Sequence, residues 1–284
     1  MKLEIKKFDP SVIKADSVLC FIGKRCSGKS YLLRDILSYH ESLKAGVVIS
    51  PTEQANQFFQ KFIPNFLIYD EFQGDIVKKF LDRQIKITKQ TNDQIKKYGT
   101  SDIDPRAFLI LDDCLYDKSW PTDKSIRSIF MNGRHYKIFF LLTMQYCLGL
   151  PPILRANVDY VFIFKNNMIK EREKLYNYYA GMFNDFGTFC KVMDHCTTDF
   201  SCLVIDNKTQ SNKLEDQVKW YKAKDVEDFR LCSPELWNLC ALENEKRENK
   251  LFYDDDEEDN EPDYDPSVFV KNKNKVNINI KKKN

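Results

Sequence analysis

Val18-Leu19-Cys20-Phe21-Ile22-Gly23-Lys24-Arg25-Cys26-Ser27-Gly28-Lys29-Ser30-Tyr31-Leu32-Leu33-Arg34-Asp35-Ile36-Leu37 reads as a strand, a loop and a helix in immediate succession. Val18 to Ile22 is a short, unbroken apolar run of the kind a buried strand requires, and Tyr31 to Leu37 continues as a helix. Between them, Gly23, Lys24, Arg25, Cys26, Ser27, Gly28, Lys29 and Ser30 fit G-x-x-x-x-G-K-[ST], the phosphate-binding loop, without a mismatch. Unpaired N–H groups at the helix start and the helix dipole both favour an anion there. In that reading Lys29 reaches β- and γ-phosphates and Ser30 offers its hydroxyl to Mg²⁺. A plain Gly/Ser turn is the competing reading, and it does not explain why Lys-Ser should open an apolar helix.

Downstream, Ala107-Phe108-Leu109-Ile110-Leu111 ends in Asp112-Asp113. After a phosphate loop, such a strand is the second nucleotide signature: Asp112 is expected on Mg²⁺, and Asp113 is expected to orient or deprotonate the attacking water. The alternative is that the two carboxylates only cap the strand and begin a turn. Ile138 to Met144 forms another apolar run that ends at Gln145. Gln145 is then a candidate sensor of the γ-phosphate or of the water, against the simpler reading of a strand end meeting solvent.

Further buried strands are expected at Gly46–Ser50, Phe66–Tyr69, Val158–Phe164 and Cys202–Ile205, with helices over 54–62, 75–98, 125–136, 170–183 and 186–195. Residues 1–16 read as a short lead-in strand or arm. Apolar runs separated by helical stretches predict an α/β fold, a mainly parallel sheet with helices on both faces. Ligands bind outside the carboxyl ends of such strands, where the loop, Asp112, Asp113 and Gln145 all fall. The 75–98 helix carries Lys78, Lys79, Arg83, Lys86, Lys89, Lys96 and Lys97, either a solvated face or a polyanion contact.

The 284 residues carry 44 Lys+Arg against 42 Asp+Glu, unevenly spread. Nine acidic residues lie between Asp254 and Asp265 and six lysines between Lys271 and Lys283; without them, 38 basic face 33 acidic side chains, a net +5 on residues 1–250. The organisation expected is a phosphate-loop domain over 1–245 and a charged, unstructured tail over 246–284. Nine scattered cysteines argue for a reducing compartment rather than a disulfide framework. Cys190, His195, Cys196 and Cys202 lack the paired spacing of zinc ligands and read as buried thiols and a surface histidine. The start of the chain is too polar for a signal peptide, and the most apolar run, 138–154, is interrupted by Thr143, Gln145, Gly149, Pro151 and Pro152, so no membrane span is expected.

Asp112-Asp113-Cys114-Leu115-Tyr116-Asp117, Phe130-Met131-Asn132-Gly133-Arg134-His135-Tyr136, Thr143-Met144-Gln145-Tyr146 and Leu154-Arg155-Ala156-Asn157-Val158-Asp159 form a distinctive set. Together, over residues 17–206, they resemble the genome-packaging ATPases of the nucleo-cytoplasmic large DNA viruses, the poxvirus-type branch of the FtsK–HerA superfamily. The resemblance implies an additional-strand, RecA-like ATPase that binds ATP and Mg²⁺ and works as a hexameric or pentameric ring. It implies passage of double-stranded DNA into a preformed capsid, with capsid or portal-vertex proteins as partners, in the host cytoplasmic viral factory and the virion. It assigns Lys29 to the phosphates, Ser30 and Asp112 to Mg²⁺, Asp113 to catalysis and Gln145 to sensing. Many superfamily members carry Glu where Asp113 stands, and the shorter Asp leaves its role as general base open. The superfamily also carries an Arg on the helix before the sensor strand. Arg134 is thus the candidate finger for a neighbouring subunit's γ-phosphate, with Arg155 as runner-up and a surface ion pair as the simpler reading. Competing functions are a small-molecule phosphate-loop kinase, for which no acceptor pocket is evident, and a nucleotide-binding scaffold of the virion.

Overall fold

A computed structural model of the chain describes residues 4–114 and 119–254, with side chains to 246. In chain order the elements are β1 (Lys6–Lys7), β2 (Val18–Ile22), α1 (Lys29–Ser38), β3 (Gly46–Ile49), α2 (Glu53–Asn56), β4 (Ile68–Tyr69), α3 (Gly74–Tyr98), β5 (Ala107–Leu111) and α4 (Lys124–Asn132). They continue with β6 (Ile138–Met144), α5 (Pro152–Arg155), β7 (Tyr160–Ile163), α6 (Ile169–Tyr179), α7 (Phe186–Cys196), β8 (Cys202–Asp206), α8 (Leu214–Gln217), β9 (Val218–Tyr221) and α9 (Pro234–Asp254).

Among the described residues the strands form one nine-stranded sheet in the order β1-β9-β8-β7-β2-β6-β5-β3-β4. Every pairing is parallel except the two made by β8. The central strands β2, β5 and β6 are buried along their whole length, as continuous apolar runs in a sheet covered on both faces must be. Alternation divides the core. Val18, Cys20 and Ile22 face a layer built with α3, α4, α6 and α7, which contribute Phe80, Ile129, Leu175 and Met193. Leu19 and Phe21 face the other layer, where α1 supplies Leu32, Leu33, Ile36 and Leu37 beside Phe59, Phe62 and Leu231. Burying a side chain of this size is worth about 1.5–3 kcal/mol, so the two layers together stabilise the sheet between them.

Chain order explains where the crevice forms. After β2 the chain passes by α1 to β3, leaving two places that β5 and β6 later fill, and β7 then returns to the opposite side of β2. The connection from β2 thus runs to one side and that from its neighbour β6 to the other, the arrangement that opens a crevice at the carboxyl ends of the strands.

Several expected elements are shorter than their sequence suggests. The helix expected over 54–62 breaks at Gln57, whose φ is +48°, and resumes as a 3₁₀ turn at Phe59–Lys61. The buried Glu53 carboxylate causes the break by accepting the N–H groups of Phe58, Phe59 and Gln60 at 2.9–3.1 Å, which replaces helical bonds. The helix expected over 125–136 ends at Asn132 and is capped at its start by Asp123, which accepts from Ser125 and Ile126 N–H. The described residues up to Cys240 belong to one compact unit, and those from Ala241 to a second. α9 runs from Pro234 to Asp254, across the start of the tail expected over 246–284. Leu115, Tyr116, Asp117 and the remainder of the tail lie outside the described residues. No helix of the described residues is long and apolar enough to cross a membrane.

Candidate active site at the carboxyl edge of the sheet

The loop leaves β2 by extending the ladder one residue, with Gly23 N–H donating to Met144 O at 3.0 Å. A side chain at Gly23 would collide: a Cβ there would lie 2.6 Å from Ser27 Oγ and 2.7 Å from Phe164 Cβ. The turn back is made in the left-handed region, by Cys26 at φ +58° and Gly28 at φ +99°. α1 then begins without any side-chain cap, so its first N–H groups face the loop's interior. Lys24, Arg25 and Cys26 stand exposed at the loop's tip, and Ser30 is half-buried on the first turn.

Lys29 is buried. Its Nζ donates to Gly23 O at 2.8 Å and Lys24 O at 3.0 Å, and lies 3.9 Å from Asp113 Oδ1. Burial depresses its pKa, and the neighbouring Asp113 and Asp112 carboxylates act the other way. The ammonium is therefore folded back onto its own loop, facing the end of β5.

At that end Asp112 is fixed by two neutral hydroxyls: Ser50 Oγ donates to Oδ2 at 2.9 Å and Thr143 Oγ1 to Oδ1 at 2.7 Å. Burial pushes its carboxyl above the usual range; the Thr143 bond opposes that shift and the charge of Asp113 adds to it. Thr143 Oγ1 also accepts the backbone N–H of Asp113 at 3.0 Å, so one hydroxyl positions both acids. Asp113 takes a left-handed φ of +50°, an unusual conformation held by that bond. Gln145 Nε2 donates to Asp113 Oδ2 at 3.0 Å, while the buried Oδ1 accepts no hydrogen bond.

Lys29, Asp112, Asp113 and Gln145 thus lie together at this edge, and Thr143 and Ser50 join them. The sequence held a signal for Thr143, the one hydroxyl within the apolar run of β6, but its role depends on β6 lying between β2 and β5. Among the described residues no group of three or more His, Cys, Asp or Glu is placed to hold a metal. The set present instead fits Mg²⁺, which takes one or two carboxylates and completes its shell with phosphate oxygens and water.

Arg134 is elsewhere. It sits just past α4, at the amino edge of the sheet, and bonds Asp159, whose Oδ2 accepts Val18 N–H at 2.8 Å. Its side chain is 58 % exposed. The surface ion pair considered for Arg134 is therefore present, and its own chain's phosphate loop lies at the far end of β2. Arg155 stacks on Tyr178 and Tyr179, 4.5 and 5.3 Å from their ring centroids. Cys196 and Cys202 are buried, and burial raises both thiols, Cys196 to about 11. Cys190 is half-buried.

No family model matches the chain. Among solved structures, the crystal structure of B204, the DNA-packaging ATPase from Sulfolobus turreted icosahedral virus, superposes with a TM-score of 0.51 at 19 % identity, covering 75 % of this chain and 98 % of that one. The pCW3 conjugation coupling protein TcpA, solved with ATPγS, gives 0.53 at 13 % identity over 76 % of this chain and 63 % of its own. These likenesses concern the fold, that of phosphate-loop NTPases. In sequence, the chain is 43 % identical to Uncharacterized protein L437 of Acanthamoeba polyphaga mimivirus over 225 residues, covering 79 % of this chain and 78 % of that protein. It is 36 % identical to Uncharacterized protein 075L of Invertebrate iridescent virus 6 over 228 residues, covering 77 % and 83 %. With identity of this level across most of both chains, the protein belongs to the family of large-DNA-virus proteins that includes mimivirus L437 and iridescent virus 075L.

Proposed function

We propose that this protein is a Mg²⁺-dependent ATP hydrolase that drives double-stranded DNA into a viral capsid. The observation that carries the catalytic part is the convergence of Lys29, Asp112, Asp113 and Gln145 at one sheet edge, with Thr143 holding both acids. Bound triphosphate would draw Lys29 Nζ from the carbonyls of Gly23 and Lys24 onto its β- and γ-oxygens. Ser30 and Asp112 would hold Mg²⁺, which supplies charge stabilisation to the phosphates. Asp113, with one oxygen fixed by Gln145 and the other accepting no hydrogen bond, would accept a proton from water or orient it. An amide-braced carboxylate favours water as the acceptor, and so hydrolysis over transfer to a small molecule.

The position of β6 between β2 and β5 supports the additional-strand, RecA-like class, and the Asp112-Asp113 pair supports the poxvirus-type branch. The DNA-packaging setting is carried over from B204, and viral relatives favour a viral factory and virion location. α3 supports a polyanion partner, since Lys78, Lys79, Arg83, Lys86, Lys89, Lys96 and Lys97 are all exposed on it. In a hexameric or pentameric ring, the exposed Arg134 would leave Asp159 and complete the γ-phosphate site of the next subunit. Capsid or portal-vertex proteins would anchor the ring.

ATPase rate with and without duplex DNA, alongside particle mass in solution, tests this reading. Stimulation by DNA and a ring-sized particle are expected. An unstimulated rate from a stable monomer overturns the motor.

A further inference from the structure

The phosphate loop has two ends, and the acidic cluster occupies only one. Asp112, Asp113 and Gln145 come from β5 and β6, on one side of β2. On the other side the sheet continues through β7, β8 and β9, and there the same edge holds a cavity of about 760 Å³. It is lined by Cys26, Gly28, Tyr31, Phe200 and the segment 222–225 that follows β9.

Two large rings stand open in this cavity. Tyr31 follows Ser30 directly on α1 and is 68 % exposed; Phe200, in the turn into β8, is 67 % exposed. Phe200 is held there at a conformational cost: Asp199 and Phe200 both take left-handed φ values, +48° and +60°, which a bulky aromatic seldom adopts. The turn is braced by the Lys222–Asp199 ion pair and by Ser201 N–H donating to Thr198 O at 2.9 Å. A Cβ built on Gly28 would sit 3.7 Å from Phe200 Cβ, so the ring stands directly against the last glycine of the phosphate loop.

We propose that this cavity takes the base and ribose of the nucleotide whose triphosphate lies along Gly23–Ser30, with Phe200 and Tyr31 as its stacking surfaces. The inference rests on the nucleotide reading above and adds to it the site for the nucleoside. Lys29 and Asp113 fix the γ end beside β5, so the α-phosphate and its substituent leave the loop toward β7 to β9. The cavity lies on that path, and its volume is in the range of small-ligand sites. A nucleobase presents flat apolar faces, which are what two exposed rings recognise, and the strain at Phe200 has a purpose if the ring must be presented rather than buried.

Isothermal titration with ATP and with inorganic triphosphate tests the proposal on wild type, Phe200→Ala, Phe200→Trp and Lys29→Ala proteins. Stacking on one aromatic residue predicts that Phe200→Ala weakens ATP binding roughly ten- to a hundred-fold and leaves inorganic triphosphate unchanged, while Phe200→Trp retains ATP affinity. Unchanged ATP affinity in Phe200→Ala, or an equal loss for ATP and inorganic triphosphate, overturns the base site. Lys29→Ala separates the two readings. If it binds ATP as wild type does, the phosphate loop reading itself has failed; if it loses both ligands while Phe200→Ala loses neither, only the base site has.

Discussion

Two buried aspartates at opposite edges of the same sheet show how this fold divides structure from chemistry. Asp159, at the amino edge, is 4 % exposed and fully engaged, with Arg134 on one oxygen and Val18 N–H on the other. Asp112, at the carboxyl edge, is 6 % exposed and held by two neutral hydroxyls, with a second carboxylate following it in sequence. The first carries its own counter-cation and locks β2 to the start of β7. The second is desolvated and bonds no cation, an environment that raises its carboxyl pKa; in the proposed function an incoming Mg²⁺ would supply the missing charge. Burial alone therefore does not distinguish the two acids; their partners do.

The largest expected effect sharpens that contrast. Asp113→Asn should lower the ATPase turnover roughly 10²- to 10⁴-fold with ATP binding retained, as measured by phosphate release and by titration. An equal loss of turnover in Asp159→Asn would erase the distinction between the edges. Next, Thr143→Val keeps the shape of β6 but removes the hydroxyl that fixes both acids. The Mg²⁺ concentration for half-maximal activity should rise roughly 10- to 100-fold, as for other residues that orient metal ligands.

Stability should move in opposite directions at the two edges. Asp159→Ala leaves Val18 N–H without its acceptor and should cost about 1–3 kcal/mol, a clear fall in Tm. Asp112→Asn removes a desolvated charge and should add about 1 kcal/mol, raising Tm by about 2–4 °C while activity is lost. Destabilisation by Asp112→Asn would mean that its hydroxyl bonds outweigh its desolvation.

The smallest effect is in pH. Because Asp112's folded pKa lies above its unfolded value, its protonated form favours the native state, and stability at this residue is lost as pH rises. The Tm advantage of Asp112→Asn should accordingly shrink on acidification. A separate loss falls on both proteins equally: burial, then Arg106, lowers His40 to about 4, so the unfolded chain binds the proton first. Stability at His40 is lost as pH falls from about 6.5 through about 4. His40→Phe should flatten that limb in a pH series of thermal melts.

Much of this was legible in the chain. The phosphate loop, the strand ending in Asp112-Asp113 and the polar residue closing β6 are local patterns, because burial of a strand demands apolar runs and phosphate binding demands glycine where φ is positive. Lys29, Asp113 and Gln145 could be assigned to one edge because parallel strands all end on the same side. Thr143 and Ser50 were not assignable, since their hydroxyls matter only once β6 and β3 flank β5. Gln57 broke a helix for a similar reason: Glu53 caps three N–H groups that a helical pattern reserves for carbonyls. Phe200 stands against Gly28 because β8 runs antiparallel and brings its start to the carboxyl edge, a direction no periodicity encodes.

The sequence by itself therefore determined the kinds of element, the glycine-bearing loop and the acids that close β5, all matters of residue type at short range. Tertiary structure alone decided which side of β2 holds the acids, which holds the exposed rings, and that Arg134 lies a strand's length from its own loop. Those are consequences of strand order and direction, set by contacts between residues far apart in the chain.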